Sequence, residues 1–203
     1  MTRMIKAIPI YNFLNYCNAC KLEKKVLDCG AGGKVPPLSV FYENGYETHG
    51  IDISDEKLSQ AEKFCKENAM HLNIERCDMR NLKFEDEAFS FVYSYNSIFH
   101  MPKSEIKKVV NDIKRVLKKD GLFYVNFLSK DDCRFADGEK VSDSEVLQEE
   151  DNEMILHSYF EDTEAEAYFD GFQVIYKEKR IVEKFIEDKK YRLSYIDYIL
   201  KKK

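Results

Sequence analysis

The sequence contains no tryptophan and has only four prolines and eight glycines among its 203 residues. With 44% hydrophobic and 34% charged residues, so few glycines and prolines exclude a collagen-like or low-complexity disordered chain. No run of about 18 apolar residues is present, which predicts that no helix spans a membrane. Pro9, Asn12 and Asn15 interrupt the start of the chain, so we expect no signal sequence and a cytoplasmic protein.

An excess of basic charge is also missing. The chain has 32 lysines and arginines against 37 aspartates and glutamates, which gives a net charge of −5. Residues 130–153 concentrate the acids, with ten acidic and three basic side chains. Because both the net charge and this segment would repel a phosphate backbone, we expect no nucleic-acid partner.

The six cysteines are scattered, and Cys17 and Cys20 form the sole C-x-x-C spacing. A zinc site would need a second pair or an H-x-x-x-H motif, and the sequence has neither. We therefore expect free thiols, a half-exposed Cys17–Cys20 pair on an N-terminal helix, and no metal site.

Short apolar runs alternate with helix-periodic segments along most of the chain. The predicted strands are 26–29, 46–53, 72–77, 89–95 and 122–128. The clearest helix is predicted over 103–119, and two others begin at Ser54 and at Pro36-Pro37. This order predicts an α/β fold with a doubly wound, mostly parallel sheet that has helices on both faces. Two strand-like runs around the charged turn 187–190 predict a closing antiparallel hairpin.

The chain length predicts a single domain over residues 1–203. We divide it into an N-terminal helical segment, a core, an acidic insertion, and a closing helix and hairpin, at 1–24, 25–129, 130–160 and 161–203. The insertion is long for a connection and should begin at the carboxyl edge of the sheet, so we expect either a lid or a solvated flap. The closing helix is expected over 161–170.

Three of the predicted strands end in carboxylates. Asp28 runs into the glycine-rich segment 29–33, Asp52 ends the second strand, and Asp78 follows the third. Because the carboxyl ends of parallel strands share one edge, we expect these three acids to line one crevice. The glycine pattern completes neither G-x-G-x-x-G nor G-x-x-x-x-G-K-[ST], which makes a dinucleotide oxidoreductase a remote alternative.

S-adenosylmethionine suits such a crevice, because it carries an ammonium and a sulfonium and no phosphate. We expect Asp28 to orient the loop and the ammonium, Asp52 to accept from both ribose hydroxyls, and Asp78 to accept from the adenine amino group. The loop glycines allow close backbone approach, and the apolar residues beside the last two acids suit the adenine faces. The expected cofactor-binding residues are Asp28, Gly30, Gly32, Asp52, Ile53, Asp78, Met79 and Tyr95.

The segments VLDCGAGG, GIDIS, ERCDMRNL and FSFVYSYNSIFHM resemble the motifs of class I S-adenosylmethionine-dependent methyltransferases. KRVLKKDGLFYVNFLS is similar to the family's late helix and fifth strand, so the resemblance spans about residues 25–129 and, more loosely, the closing hairpin. It implies a Rossmann-like seven-stranded sheet, S-adenosylmethionine as cofactor and methyl transfer. Lys34 departs from the family, since a third glycine is common there. IFHMPK and ILHSYF most resemble small-molecule methyltransferases of the tellurite-resistance or thiol type, which implies a small-molecule acceptor.

The fourth strand and the residues after it supply the candidate catalytic groups, His100 and Tyr95, and His157 is a third histidine to consider. A general base is needed only if the nucleophile arrives protonated. Ser94-Tyr95-Asn96-Ser97 lacks the Pro-Pro-aromatic sequence that the family's base-methylating members carry, so the resemblance does not imply a nucleic-acid acceptor. A non-catalytic S-adenosylmethionine-binding module or partner subunit is the second interpretation, and the sequence leaves it open, as it does the oligomeric state.

Overall fold

The computed structural model describes residues 7–150, 153–186 and 189–203. Within these residues the chain forms four α-helices, two short 3₁₀ helices and ten strands. The α-helices are α1 (Ile8–Ala19), α2 (Leu38–Glu43), α3 (Asp55–Asn68) and α4 (Lys103–Val116). The strands are β1 (Lys25–Cys29), β2 (Glu47–Asp52), β3 (Ile74–Arg76), β4 (Phe89–Ser94), β5 (Leu117–Ser129), β6 (Glu139–Ser142), β7 (Glu145–Glu150), β8 (Glu153–Phe160), β9 (Phe172–Ile186) and β10 (Lys189–Lys202). The 3₁₀ helices are Cys133–Ala136 and Glu164–Tyr168.

Seven of the described strands form the main sheet, in the order β3-β2-β1-β4-β5-β10-β9. The first five of these strands pair in parallel, and β10 runs antiparallel to both β5 and β9. The predicted mostly parallel sheet with a C-terminal antiparallel hairpin is therefore confirmed. The chain order reverses between β1 and β4, so a crevice opens at the carboxyl ends of these two strands.

Apolar side chains cover both faces of the main sheet. On one face α4 buries a stripe at helical spacing, as predicted; it consists of Ile106, Val109, Val110, Ile113 and Val116. On the other face Phe13 of α1 packs edge-on against Phe41 and Tyr93. None of the described helices is long and apolar enough to cross a bilayer.

The end of α4 differs from the prediction, which extended this helix to residue 119. The helix ends at Val116, and Leu117 already pairs with Phe89 of β4. The register with β4 then shifts across Asp120, which has a φ of +62°. Asp120-Gly121 is therefore an irregularity inside β5 rather than a helix stop, because pairing with β4 takes precedence over helical periodicity.

The N-terminal segment holds α1, while residues 1–6 of the predicted segment 1–24 lie outside the described residues. The six cysteines are free thiols, as predicted. The predicted half-exposed C-x-x-C pair is wrong for Cys17, which is buried in the α1 core, whereas Cys20 is partly exposed just after the helix ends.

The acidic segment 130–160 is folded. Strands β6, β7 and β8 form an antiparallel meander, and β8 joins β5 in parallel at Leu128–Tyr159 and Ser129–Phe160. Because β10 occupies one edge of β5, β8 must lie on the other edge, beyond the end of β4. β6 is exposed along its length, whereas the last four residues of β8 are buried. The lid and the solvated flap both stay predictions.

Two further predictions concern the ends of this region. The helix expected over 161–170 is reduced to the 3₁₀ helix Glu164–Tyr168. Asp151 of the acidic run, and Glu187 and Asp188 of the predicted charged turn, lie outside the described residues.

Candidate functional site

The glycine-rich loop after β1 is held close to β2 and to the loop that follows β4. The backbone N–H groups of Gly30 and Ala31 both donate to the Ile51 carbonyl at 2.9 Å. Gly30 has a φ of +113°, and a Cβ at this position would lie 2.2 Å from the Ser97 hydroxyl oxygen. Both the backbone conformation and the close approach of Ser97 therefore require glycine here.

Asp52 links this loop to α3. One carboxylate oxygen accepts from the Gly32 N–H and the other from the Ser54 N–H, each at 2.9 Å. Ser54 in turn caps α3, as predicted, because its hydroxyl accepts from the Lys57 N–H. The Asp52 side chain is thus fixed in orientation, and each oxygen retains capacity for another donor.

Asp28 is almost completely buried, with 1% of its surface exposed. Its Oδ2 and the Tyr93 hydroxyl are buried, and neither makes a hydrogen bond of ordinary geometry within the part of the chain that the structure describes, although the hydroxyl is close enough to act on the carboxyl. Burial raises the pKa of Asp28 to about 8, the Tyr93 hydroxyl opposes that rise, and the charge of Asp52 adds to it. A buried carboxyl oxygen without a partner is costly, so this site favours a ligand that brings a donor or a positive charge.

Asp78 has a partner that sequence reasoning missed. The Arg80 guanidinium binds its carboxylate in a bidentate manner, with an Nη2–Oδ2 distance of 2.6 Å, and the Arg80 N–H donates to Oδ1. This guanidinium holds the pKa of Asp78 below its ordinary value. The Asp-Met-Arg sequence at this strand end was the available signal.

Two connected cavities lie along the carboxyl edge of the sheet. The larger, of about 800 Å³, is bordered by Asp28, by all three glycines of the loop, and by Asp52 and Tyr95. The smaller, of about 150 Å³, is bordered by Ile53, Asp78 and Met79. All eight predicted cofactor-binding residues therefore line these two cavities: Asp28, Gly30, Gly32, Asp52, Ile53, Asp78, Met79 and Tyr95.

The two predicted catalytic residues lie on the wall of this cleft. His100 borders both cavities, and burial lowers its pKa to about 4, with His157 as a further cause. Burial raises the pKa of the Tyr95 hydroxyl. At neutral pH His100 is thus a neutral imidazole, and Tyr95 is a protonated donor.

His157 lies behind His100 and is fully buried, with its ring centroid 4.7 Å from that of His100. Its Nε2 lies 3.1 Å from Oε1 of Glu150, and this contact holds the pKa of Glu150 at about 2. Sequence reasoning missed Glu150, because it was one of ten acids in a segment with little periodicity. Only the pairing of β7 with β8 brings it to the cleft.

Comparison with known proteins favours the methyltransferase interpretation over a dinucleotide oxidoreductase. A family model described as a methyltransferase domain matches residues 27–125. This match, together with the motifs of the sequence, supports a class I S-adenosylmethionine-dependent methyltransferase. S-adenosylmethionine is accordingly the cofactor, as the sequence predicts.

Individual relatives agree with this assignment. The chain is 30% identical over 105 residues to an uncharacterized methyltransferase, YcgJ, of Bacillus subtilis, a match that covers 51% of this chain and 40% of that protein. It is 30% identical over 122 residues to a sterol 24-C-methyltransferase of Schizosaccharomyces pombe, covering 56% of this chain and 30% of the relative. The fold matches an S-adenosylmethionine-dependent methyltransferase structure from Clostridium acetobutylicum with a TM-score of 0.72 and 18% identity, over 97% of this chain and 92% of the other.

The shared segment is the cofactor-binding core. The chain spans less than half the length of the curated relatives described above. The segment that the family model matches, residues 27–125, contains the glycine-rich loop and all three strand-end acids but none of the β6–β8 meander. The likeness therefore supports the cofactor site more directly than the acceptor side.

Proposed function

We propose that this protein catalyses methyl transfer from S-adenosylmethionine to a small-molecule acceptor. The observation that carries the proposal is the single cleft bordered by the glycine-rich loop, by Asp28 with its unpartnered Oδ2, and by Asp52. When bound, the cofactor supplies a methyl group on a sulfonium. A nucleophile attacks the methyl carbon in line with the carbon–sulfur bond, and the sulfur leaves as a neutral thioether. The protein then has to align the two reactants and exclude water.

The cofactor would be held by groups whose positions the structure already fixes. Asp28 offers a buried carboxyl group that would ionise beside the methionine ammonium, and the oriented Asp52 carboxylate offers acceptors for the ribose hydroxyls. Ile53 and Met79 border the smaller cavity and supply apolar contacts for the adenine ring. The amino group of the adenine would share the Asp78 carboxylate with Arg80.

The acceptor would lie against the wall formed by Tyr95, His100 and the meander. Glu150 and Ile155 place both a charge and an apolar side chain at this wall. A neutral His100 is able to take a proton from the nucleophile, and Tyr95 is able to donate a hydrogen bond. The mixed character of the wall and its acidic strands favour a neutral or cationic acceptor over an anion.

Calorimetry and turnover together test this function. Isothermal titration with S-adenosylmethionine and with its demethylated product should show saturable binding of both. The same protein is then incubated with thiol, amine, hydroxyl and metalloid acceptors while demethylated product is quantified. Binding with turnover on at least one acceptor is the expected result. Binding without turnover on any class would indicate the non-catalytic module, and no binding would overturn the proposal.

Replacing Asp52 tests the ribose assignment. Asp52→Ala should weaken S-adenosylmethionine binding by about 1.5–3 kcal/mol, because hydrogen bonds to a charged acceptor are lost. Isothermal titration measures the change, and the thermal unfolding midpoint checks that the variant folds. Asp120→Asn is the matched control, since Asp120 lies near the amino end of β5 and pairs with Lys201. Unchanged affinity in folded Asp52→Ala would remove Asp52 from the site.

A further inference from the structure

Three metal-binding side chains meet at the inner wall of the cleft. His100 follows β4, Glu150 ends β7 and His157 lies on β8, and one donor atom from each lies within 4.8 Å of the other two. His100 and Glu150 border the larger cavity, whereas His157 is fully buried behind them. The group is thus anchored on its inner side and open toward the cleft.

A neutral His157 satisfies only one of the two oxygens that its ring nitrogens contact. Its Nδ1 lies 3.1 Å from the Ile155 carbonyl oxygen, and its Nε2 lies 3.1 Å from Oε1 of Glu150. A neutral imidazole carries one N–H, so it donates to one of these oxygens and turns a lone pair toward the other. If Nδ1–H donates to the carbonyl, the Nε2 lone pair faces a carboxylate. Either a second proton or a cation must then lie between them.

The surroundings of His100 favour a cation over a second proton on His157. Its Nδ1 is buried and has no hydrogen-bond partner among the described residues. The two imidazole rings lie edge to face at 4.7 Å between centroids. A buried imidazolium at His157 would leave Nδ1 of His100 without a hydrogen-bond partner. One metal ion, by contrast, satisfies a nitrogen lone pair on each ring together with the Glu150 carboxylate.

We propose that His100, Glu150 and His157 bind one divalent transition-metal ion of the zinc class, with a coordination position open to the cleft. Two imidazoles and one carboxylate with an open position form a ligand set typical of catalytic zinc. The Nδ1–H of His157 donating to a backbone carbonyl is the outer contact that commonly orients a metal-bound histidine. Ligands of a tetrahedral ion lie about 3.4 Å apart at bond lengths of about 2.1 Å. Nε2 of His157 and Oε1 of Glu150, which are 3.1 Å apart, would therefore separate slightly on binding, while donors up to 4.8 Å apart would draw closer.

The open position identifies a class of acceptor, a step that rests on the proposed methyl transfer. A hydroxyl or thiol that coordinated the ion would lose its proton to water more readily. Its oxygen or sulfur would then form the bond to the methyl carbon, and the sulfonium sulfur of the cofactor would leave as a neutral thioether. The chain's own contribution is to hold that atom on the His100 side of the cleft, across from the loop that borders the cofactor cavity.

Metal titration tests the site directly. The chelator-treated full-length chain is titrated with Co²⁺, and then with Zn²⁺ in competition, while the visible absorption of cobalt is recorded. We expect one equivalent to bind with the spectrum of nitrogen and oxygen ligands. Glu150 is partly exposed, and Glu150→Gln is isosteric. This substitution should weaken Co²⁺ binding at least about tenfold, and His100→Ala should do the same. His49→Ala is the matched control, because His49 forms an exposed His–Glu contact with Glu47 at 2.9 Å, and its affinity should be unchanged.

Several outcomes would overturn the site. They are the absence of stoichiometric Co²⁺ binding, binding that Glu150→Gln leaves intact, and a near-ultraviolet thiolate-to-cobalt band, which would place the ion on the free cysteines. Each would leave His157 and Glu150 as a hydrogen-bonded pair. S-adenosylmethionine titration of the same samples separates the two proposals: cofactor binding without metal binding overturns only the metal site, and metal binding without cofactor binding overturns only the proposed function.

Discussion

Gly30→Ala should lose at least about 100-fold in S-adenosylmethionine affinity. The new Cβ would lie 2.2 Å from the Ser97 oxygen and 2.5 Å from its Cβ, a distance that no rotamer of Ser97 relieves completely. The φ of +113° adds backbone strain of about 1–3 kcal/mol for a residue with a side chain. Either the loop after β1 or the loop after β4 must move, and both border the cofactor cavity. Isothermal titration measures the loss.

The neighbouring Gly33 separates the clash from the strain. Its φ is +112°, yet a Cβ built there meets no atom within 4 Å. Gly33→Ala therefore carries a similar backbone penalty without the collision, and its affinity should fall much less. Equal losses in the two variants would show that backbone strain alone matters and that Ser97 does not shape the site.

The affinity for S-adenosylmethionine should rise about tenfold per pH unit between pH 5.5 and 7. In this range the methionine ammonium is protonated, while Asp28, with a pKa raised to about 8, is mostly neutral in the free protein. An ammonium beside it favours the ionised carboxylate, so binding must release a proton and strengthens as the pH rises. Titrations at pH 7 in buffers of different ionisation enthalpy should report release of about one proton.

The same pKa has a consequence for the free protein. An unfolded aspartate has a pKa of about 3.9, so between about pH 4 and 8 the folded chain binds more protons at Asp28 than the unfolded chain does. The contribution of Asp28 to the free energy of unfolding is therefore present at low pH and lost as the pH rises through this range. Asp28→Asn should abolish both the proton release and the pH-dependence of affinity. Zero proton release by the unaltered protein would contradict the assignment of Asp28 to the ammonium.

The sequence was most informative where chemistry and local structure coincide. Asp28, Asp52 and Asp78 each stand at the end of a short strand, and parallel pairing then brings strand ends to one edge without further information. The N-cap at Ser54 likewise depends on residues within one turn of α3. Such features could be predicted because each is decided within a few residues.

Features decided by distant pairing could not be predicted in the same way. The end of α4 depends on Leu117 pairing with Phe89, and the fold of the acidic segment depends on Tyr159 reaching Leu128. The cluster of His100, Glu150 and His157 has no local spacing of a metal motif. One α-helix, one 3₁₀ helix and two strands separate His100 from the β7–β8 pair that carries the other two residues. For these residues proximity arises from tertiary structure alone.

β8 meets β5 over two residue pairs only, so we expect the meander to be less stable than the main sheet. β8 joins the main sheet only near its end, at Tyr159 and Phe160, while β10 pairs with β5 from Leu122 to Leu128. The last four residues of β8 are buried, whereas β6 is exposed along its length, as are Glu149, Glu153 and Met154. We therefore expect this outer part of the meander to open at a lower free energy than β1, β2 and β4. We therefore predict that the acceptor wall opens for product release while the cofactor-binding edge of the sheet stays folded.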